Sequence, residues 1–223
     1  MSSARDRPAQ LQTGAAEPPR DCPLCPRLVA YREANRRELP DGFNGPAPSF
    51  GDAGARLLVL GLAPGRMGAN RTGRPFTGDY AGVLLYETLI RYGFARGAYA
   101  ARPDDGLELV DCMVSNAVRC APPGNRPTPQ EEATCRPFLA ARLAALPNLR
   151  AVVALGDLSR RNVLRALGRK PGDASPGHGV ETDLGAVRLF NSYHCSRLNT
   201  NTGRLTPEMF QAVFASVRRH LDH

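Results

Sequence analysis

Short apolar runs that lead into glycine-rich or polar loops constrain the fold of this chain more than any other feature. The runs at residues 56–60 and 151–155 end in Gly61 and Gly156. Continuous apolar runs of this length are typical of parallel strands that are buried on both faces of a sheet. Two further strands are predicted over residues 109–118 and 187–190.

Helical patterns separate these strands. Thr128 followed by Pro129 is a strong helix start, and Thr206 followed by Pro207 repeats that pattern. Helices are predicted over residues 26–38, 78–92, 129–146, 157–167 and 207–221. The alternation predicts an α/β protein with three layers, α/β/α, around a central, mainly parallel four-stranded sheet. Ligands of such sheets bind where the loops at the carboxyl ends of the strands meet.

Length and composition predict one folded domain. The chain has 223 residues, of which 42% are hydrophobic, enough for one substantial core. Residues 1–20 are rich in alanine, proline and charge and are predicted to form a flexible tail, which leaves residues 21–223 as a single domain. No apolar run reaches the length of a membrane span, and the N-terminus does not resemble a secretory signal. We therefore expect a cytoplasmic protein with no membrane partner.

The formal net charge is +8, which suits a polyanionic partner such as nucleic acid. Lys170 is the only lysine, so nearly all of the positive charge comes from arginine. Arginine enrichment fits selection for bidentate phosphate contacts, but a genome-wide codon bias explains it equally well. Charge alone therefore does not identify the partner.

Four cysteines form two separated pairs. Cys22 and Cys25 precede the first strand, and Cys120 and Cys135 flank a proline-rich loop far downstream. Grouped cysteines in a reducing compartment are more often metal ligands than disulfides, so these four are predicted to close on one metal centre. Zinc and an iron–sulfur cluster both suit four thiolates, and the spacing does not decide between them.

The loops after the predicted strands carry the candidate chemistry. Residues 61–65 contain neither a phosphate-binding P-loop nor a dinucleotide-binding glycine motif. Residues 68–79 are polar and glycine-rich, and residues 115–123 and 193–197 end two later strands. A zinc-dependent nucleobase deaminase is excluded because no His-x-Glu precedes a Pro-Cys-x-x-Cys motif.

With these motifs in view, the chain closely resembles family 5 (B-type) of the uracil-DNA glycosylase superfamily. Residues 61–65, 73–79, 116–123, 125–129 and 194–206 match the motifs of that family in order and spacing. The resemblance implies a uracil-DNA glycosylase-like fold and a [4Fe-4S] cluster held by the four cysteines. It also implies hydrolysis of the N-glycosidic bond of uracil in DNA, and of other deaminated bases such as hypoxanthine or xanthine, during base-excision repair. We expect a monomer, associated with the nucleoid of a prokaryote.

The resemblance assigns substrate binding to Gly61, Ala63, Phe76, Asn116 and His194. Phe76 would stack on the extruded base, and Asn116 would pair with the edge of uracil because one amide offers both a donor and an acceptor. Alternatively, Phe76 is a core residue and Asn116 a turn residue at a strand end.

The resemblance assigns catalysis to Asp79, Asn116 and His194. Cleavage leaves negative charge on the departing base and positive charge on the sugar. His194 would hydrogen-bond the base carbonyl oxygen, and Asp79 would orient water and stabilise the cationic sugar. Related families carry an acidic or amide residue where this chain has Ala63, which makes Asp79 the nearest carboxylate in the motif. A helix N-cap is the alternative role for Asp79.

The last loop is predicted to bind DNA. The family inserts this loop into the minor groove, and Leu198 is the large apolar side chain available as a wedge. The matching DNA-binding residues are Ser196, Arg197, Leu198 and Arg204. The chain departs from the family at Cys195, where proline is usual.

Two other functions fit the same sequence. A non-catalytic iron–sulfur module that binds DNA or transfers electrons would not need Asp79 or His194. A glycosylase that acts mainly on hypoxanthine, xanthine or ethenylated bases would use the same residues with a broader pocket. Base release from a damaged oligonucleotide distinguishes these possibilities.

Overall fold

A computed structural model describes residues 16–223 of the chain. The first fifteen residues of the predicted tail lie outside the described residues. The strands are Phe50–Gly51 (β1), Leu57–Gly61 (β2), Ala95–Arg96 (β3), Glu108–Leu109 (β4), Cys112–Asn116 (β5), Ala151–Leu155 (β6), Glu181–Asp183 (β7) and Arg188–Ser192 (β8). The helices are Pro26–Glu38 (α1), Ala69–Thr72 (α2), Tyr80–Arg91 (α3), Pro129–Ala144 (α4), Asp157–Ala166 (α5), Arg197–Asn201 (α6) and Pro207–Asp222 (α7).

The main sheet has six strands in the order β1-β5-β2-β6-β8-β7. Its four central strands are parallel, which confirms the predicted α/β class and the mainly parallel sheet, whereas the predicted count of four strands is too low because two short edge strands extend the sheet. The two outermost strands, β1 and β7, run antiparallel to their neighbours and are only two and three residues long. Gly61 lies opposite Asn116 in the register of β2 and β5, so the carboxyl ends of these strands meet at one edge.

Helices cover both faces of the sheet because alternate side chains of each strand point to opposite faces. Leu57 and Val59 pack into a cluster with residues of α3 and α7, whereas Leu58 and Leu60 pack into one with residues of α4 and α5. All five residues of β2 are buried. This two-sided burial explains the continuous apolar runs of the sequence.

The predicted helix starts are confirmed. Thr128 accepts a hydrogen bond from the backbone N–H of Glu131, whose carboxylate accepts one from the N–H of Thr128, a complete capping box. Thr206 accepts a hydrogen bond from the N–H of Met209 in the same manner. These side chains satisfy donors that a helix leaves unpaired at its start.

One predicted strand is divided. Residues 109–118 do not form a single strand, because β4 pairs with β3 in a separate two-stranded sheet and β5 begins at Cys112. Asp111, between them, has a left-handed backbone (φ +54°) and accepts hydrogen bonds from the backbone and side chain of Arg56. A turn that ion pairing holds in place therefore interrupts the apolar run.

The segment just before residue 21 contacts the folded domain. Glu17 forms ion pairs with Arg119, whose side chain is buried, and with Arg142, whose side chain is partly buried. Within residues 16–223, no helix combines the length and apolar character that a membrane crossing requires.

Candidate functional site

A cavity of about 390 Å³ lies at the carboxyl edge of the parallel strands. Its size falls in the range of small-molecule binding sites. Seven residues that the sequence singled out line it together: Ala63, Phe76, Asp79, Asn116, His194, Ser196 and Arg197. Four separate segments of the chain therefore converge on one space.

The inner wall of the cavity requires glycine at residue 61. A Cβ atom on Gly61 would lie 2.5 Å from Cζ of Phe76 and 2.7 Å from Oδ1 of Asn116. The Phe76 ring faces the His194 ring at 6.0 Å between centroids, with 29° between the planes. Phe76 is 6% exposed, so it both closes the core and presents a ring face to the cavity. Because Gly61 has no side chain, Phe76 and Asn116 can both pack against its backbone.

Asn116 ends β5 and is buried, with its side chain against the cavity. The parallel ladder continues past it, because the N–H of Ala117 donates to the carbonyl of Gly61 and the N–H of Val118 to the carbonyl of Leu62. Asn116 is therefore not a turn residue. Its backbone is fixed on both sides, which orients the side-chain amide toward a ligand.

Asp79 caps a helix and also lines the cavity. Its Oδ1 accepts a hydrogen bond from the N–H of Gly82 at 3.2 Å and so caps α3. Its Oδ2 points toward Gly65 and Gly68, and a Cβ on Gly68 would overlap it. Burial raises the pKa of Asp79, while backbone hydrogen bonds from Gly82 and Ala81 oppose that change. The cap orients a carboxylate that also lines the cavity.

His194 follows β8 and enters the cavity as a neutral ring. Burial lowers the pKa of His194 to about 4, so the imidazole is uncharged at neutral pH. The side-chain amide of Asn199 donates to the His194 carbonyl at 2.8 Å, and the adjacent Cys195 is completely buried in the core. The buried thiol, in the place of the usual proline, anchors the loop through packing.

The loop after His194 forms α6, a short helix that the sequence did not predict. Ser196 caps it by accepting from the N–H of Asn199. Leu198 is 72% exposed, more than any other large hydrophobic side chain of the described residues. The Arg197 guanidinium lies 5.2 Å from the ring centroid of Tyr80. Leu198 thus stands free beside the cavity mouth.

Arg204 lies outside the main cavity. It lines a neighbouring pocket that His194 and Asn199 also border, and its guanidinium stacks on Tyr193 at 4.6 Å. Arg204 and Leu198 therefore flank the site, whereas Ser196 and Arg197 form part of its wall.

The sequence did not identify several residues of the cavity wall. Tyr80 and Asn125 line it beside the predicted residues. Tyr80 directly follows Asp79, so its position beside a candidate carboxylate was the available signal. Asn125 opens the matching motif over residues 125–129, which was the available signal, but its left-handed backbone (φ +56°) is visible only in the folded loop.

The four predicted metal ligands, Cys22, Cys25, Cys120 and Cys135, line a second, small cavity together. All four are free thiols. Within residues 16–223, no three His, Cys, Asp or Glu side chains are arranged to hold a metal ion. The structure therefore brings the cysteines to one place without defining a metal geometry.

The donor set of this cysteine cavity fits a cationic metal centre. Burial raises the pKa of Cys120 to about 11, so ionising these thiols needs a compensating positive charge. The backbone N–H of Arg119 donates to the sulfur of Cys135 at 3.4 Å. Arg32 borders the cavity, and its buried Nε has no hydrogen-bond partner among the described residues. Donors of this kind suit an anionic thiolate cluster.

Comparison with known proteins identifies relatives along most of the chain. The model of the uracil DNA glycosylase superfamily matches residues 48–218. The chain is 44% identical to a type-5 uracil-DNA glycosylase of Thermus thermophilus, over 96% of this chain and 98% of the relative. It is 45% identical to one of Mycobacterium tuberculosis, over 89% and 77%, and 44% identical to one of Pyrobaculum aerophilum, over 86% of both.

Proposed function

The chain belongs to family 5 of the uracil-DNA glycosylase superfamily, and from that premise we propose that it hydrolyses the N-glycosidic bond of uracil in DNA and leaves an abasic site. One observation carries the proposal: Phe76, Asp79, Asn116 and His194 line a single cavity at the carboxyl edge of the sheet. They come from three separate segments of the chain, because Phe76 and Asp79 share one loop, Asn116 ends β5 and His194 follows β8, so their meeting is a property of the fold.

Recognition requires the target base to leave the duplex, since its reactive bond is inaccessible within the stack. The extruded base would lie on Phe76, whose ring packs directly against Gly61. Asn116 would donate to one edge atom of uracil and accept from the imide N–H. The rigid backbone on both sides of Asn116 supports this role, since a fixed amide discriminates between bases.

Bond cleavage requires charge stabilisation at both ends of the breaking bond. A neutral His194 donates a ring N–H to the base carbonyl oxygen as negative charge accumulates there. Asp79, as a carboxylate, stabilises the positive sugar and orients the attacking water. Because Ala63 contributes no polar group, Asp79 supplies the carboxylate of this site.

We extend the proposal to other deaminated bases such as hypoxanthine and xanthine. Ala63 places only a methyl group on the cavity wall, and the cavity of about 390 Å³ leaves room beyond a pyrimidine ring. A non-catalytic DNA-binding or electron-transfer module has no comparable support, because such a module has no need for a buried carboxylate and imidazole around one cavity.

DNA would bind across the mouth of the cavity. The exposed Leu198 is placed to fill the space that the extruded base vacates. Ser196, Arg197 and Arg204 surround it and would contact phosphates. The stacking of both arginines on tyrosine rings holds their guanidinium groups near the surface that DNA would meet.

We propose that Cys22, Cys25, Cys120 and Cys135 hold a [4Fe-4S] cluster. When bound, the cluster would act as a cross-link between distant parts of the chain. The four cysteines would then join the segment before α1 to the segment after β5 and to α4, and so help to hold Asn116 in register. The family and the shared cavity support this assignment.

Base release from an oligonucleotide that contains one deoxyuridine tests the proposed function. We expect the wild type to release uracil and Asn116→Ala to lose most of that activity for uracil, because the edge contact is gone. The same assay with deoxyinosine and deoxyxanthosine tests the wider substrate range. Binding of the oligonucleotide without any base release, at every protein concentration, would contradict the proposal.

The pH dependence of base release should reflect the ionisation of Asp79 and not that of His194. Because the pKa of Asp79 is raised, the active carboxylate form is lost as the pH falls toward that pKa, so the rate should rise with pH and then level off. Because the pKa of His194 is about 4, no inflection is expected near 6.5, the usual value for histidine. The measurement is the single-turnover rate between pH 5 and 8. An inflection near 6.5 that disappears in His194→Gln would contradict the neutral role.

A further inference from the structure

Phe76 adopts a backbone conformation that bulky residues rarely adopt. Its φ angle is +53°, in the left-handed region. Such a conformation is strained for a residue with a bulky side chain and persists only where neighbouring groups enforce it. The groups that enforce it therefore determine where the ring of Phe76 lies in the base cavity.

Two tyrosine hydroxyl groups hold the backbone on either side of this conformation. The hydroxyl of Tyr99 donates to the Phe76 carbonyl at 3.0 Å, and the hydroxyl of Tyr86 donates to the Pro75 carbonyl at 2.5 Å. Gly82 makes the first contact possible, since a Cβ there would overlap both the Phe76 carbonyl oxygen and the Tyr99 hydroxyl. The Phe76 peptide is thus enclosed from the side away from the cavity.

A buried ion pair supports the same turn. Arg74 donates to Thr77 through Nε at 2.7 Å, and to both carboxylate oxygens of Asp105 at 2.8 and 2.7 Å. The side chains of Arg74 and Asp105 are 6% and 1% exposed. The Asp105 carboxylate also accepts from the backbone N–H groups of Ala100 and Leu107, which fixes the loop that carries Tyr99.

Tyr99 and Asp105 both come from the connection between β3 and β4, residues 97–107. No motif of the sequence assigns a role to this segment. It nevertheless contributes Tyr99, which donates a hydrogen bond to the Phe76 carbonyl, and Asp105, which forms the ion pair with Arg74. The segment therefore contacts the base-stacking turn from behind without lining the cavity.

We infer that the β3–β4 connection positions the base-stacking ring, with Tyr99 as a positioning residue that acts through Phe76. The inference rests on the proposed function, in which the extruded base stacks on the ring of Phe76. Removing the Tyr99 hydroxyl leaves a carbonyl without its partner and releases the strained peptide. The ring of Phe76 then shifts, and small shifts at a reacting centre cost large factors in rate.

A double-mutant cycle tests this inference. Tyr99→Phe should lower the single-turnover rate of uracil release by about tenfold in the wild-type background. In the Phe76→Ala background the same change should lower the rate less than about twofold, because the ring through which Tyr99 acts is absent. A purely structural role of Tyr99 would lower the rate by the same factor in both backgrounds, and that result would overturn the inference.

Tyr92→Phe is the matched control. It also removes a tyrosine hydroxyl, but at the C-terminal end of α3, whereas the Phe76 turn lies before the N-terminal end of that helix. It should keep the wild-type rate, and Tyr99→Phe and Tyr92→Phe should both bind the uracil oligonucleotide with wild-type affinity. An unchanged rate in Tyr99→Phe would also overturn the inference. A wild type that releases no uracil would instead refute the proposed function, so the two failures are distinguishable.

Asp105→Asn tests independently whether the β3–β4 connection positions the Phe76 ring. The amide keeps the shape of the carboxylate but removes the charge that pairs with Arg74. We expect a loss of rate that again shrinks in the Phe76→Ala background, although the variant is less stable. A loss of equal size in both backgrounds would show that Asp105 acts only on stability and would contradict its place in the positioning segment.

Discussion

Replacing His194 with alanine is expected to lower the single-turnover rate of uracil release about 10²–10³-fold, the usual cost of one hydrogen-bond donor to a developing anion. The neutral ring would be the donor to the base carbonyl oxygen, and its buried setting strengthens that interaction. A quenched-flow or gel assay with excess enzyme over a deoxyuridine oligonucleotide measures the rate of the chemical step.

Two comparisons make the result specific to the donor. His194→Gln retains an N–H donor and should recover part of the rate, whereas His220→Ala, at the end of α7, should keep the wild-type rate. Affinity for the oligonucleotide should change little in His194→Ala. A loss smaller than about threefold would show that the departing base is stabilised by another group.

Replacing Cys120 with alanine is expected to remove bound iron and to lower the thermal midpoint by about 8–20 °C. The loop between Cys25 and Cys120 is about 95 residues long. Cross-linking a loop of that length stabilises a protein by roughly 4–5 kcal/mol in the chain-entropy treatment, and each kcal/mol shifts the midpoint of a domain of this size by about 2–4 °C. Iron analysis, absorption near ~400 nm and calorimetry provide the measurements.

Cys112→Ala is the matched control, because Cys112 is completely buried but lies outside the four-cysteine set. It should keep its iron and lose only the stability that a small cavity costs, on the order of 1 kcal/mol. A colourless wild type with one equivalent of zinc would contradict the cluster. Full iron content in Cys120→Ala would remove that residue from the ligand set.

The central strands were predictable because strands buried on both faces have continuous apolar sequences. Leu57–Gly61 and Ala151–Leu155 are apolar at nearly every position, since both faces of each strand are covered. The edge strands β1 and β7 leave no such record, because two or three residues with one exposed side show no periodicity. The turn at Asp111 was missed because its ion pair with Arg56 joins residues far apart in the chain.

The site was predictable to the extent that its residues lie in short motifs at strand ends. Parallel strands bring their carboxyl ends together, so Asn116 and His194 were expected to meet. The contribution of Tyr99 was not predictable, because a lone tyrosine in a loop has no pattern. Only the fold shows that its hydroxyl reaches a carbonyl 23 positions earlier in the chain.

The backbone hydrogen bonds after β5 link the base pocket to the cysteine cavity. The pairing of Ala117 with Gly61 and of Val118 with Leu62 continues the sheet beyond Asn116, and Cys120 follows two residues later. Only four positions separate Cys120 from Asn116, so a displacement at the thiols has a short backbone path to the amide that we propose reads uracil. We therefore expect oxidation of these thiols to impair the release of uracil as well as the stability of the domain.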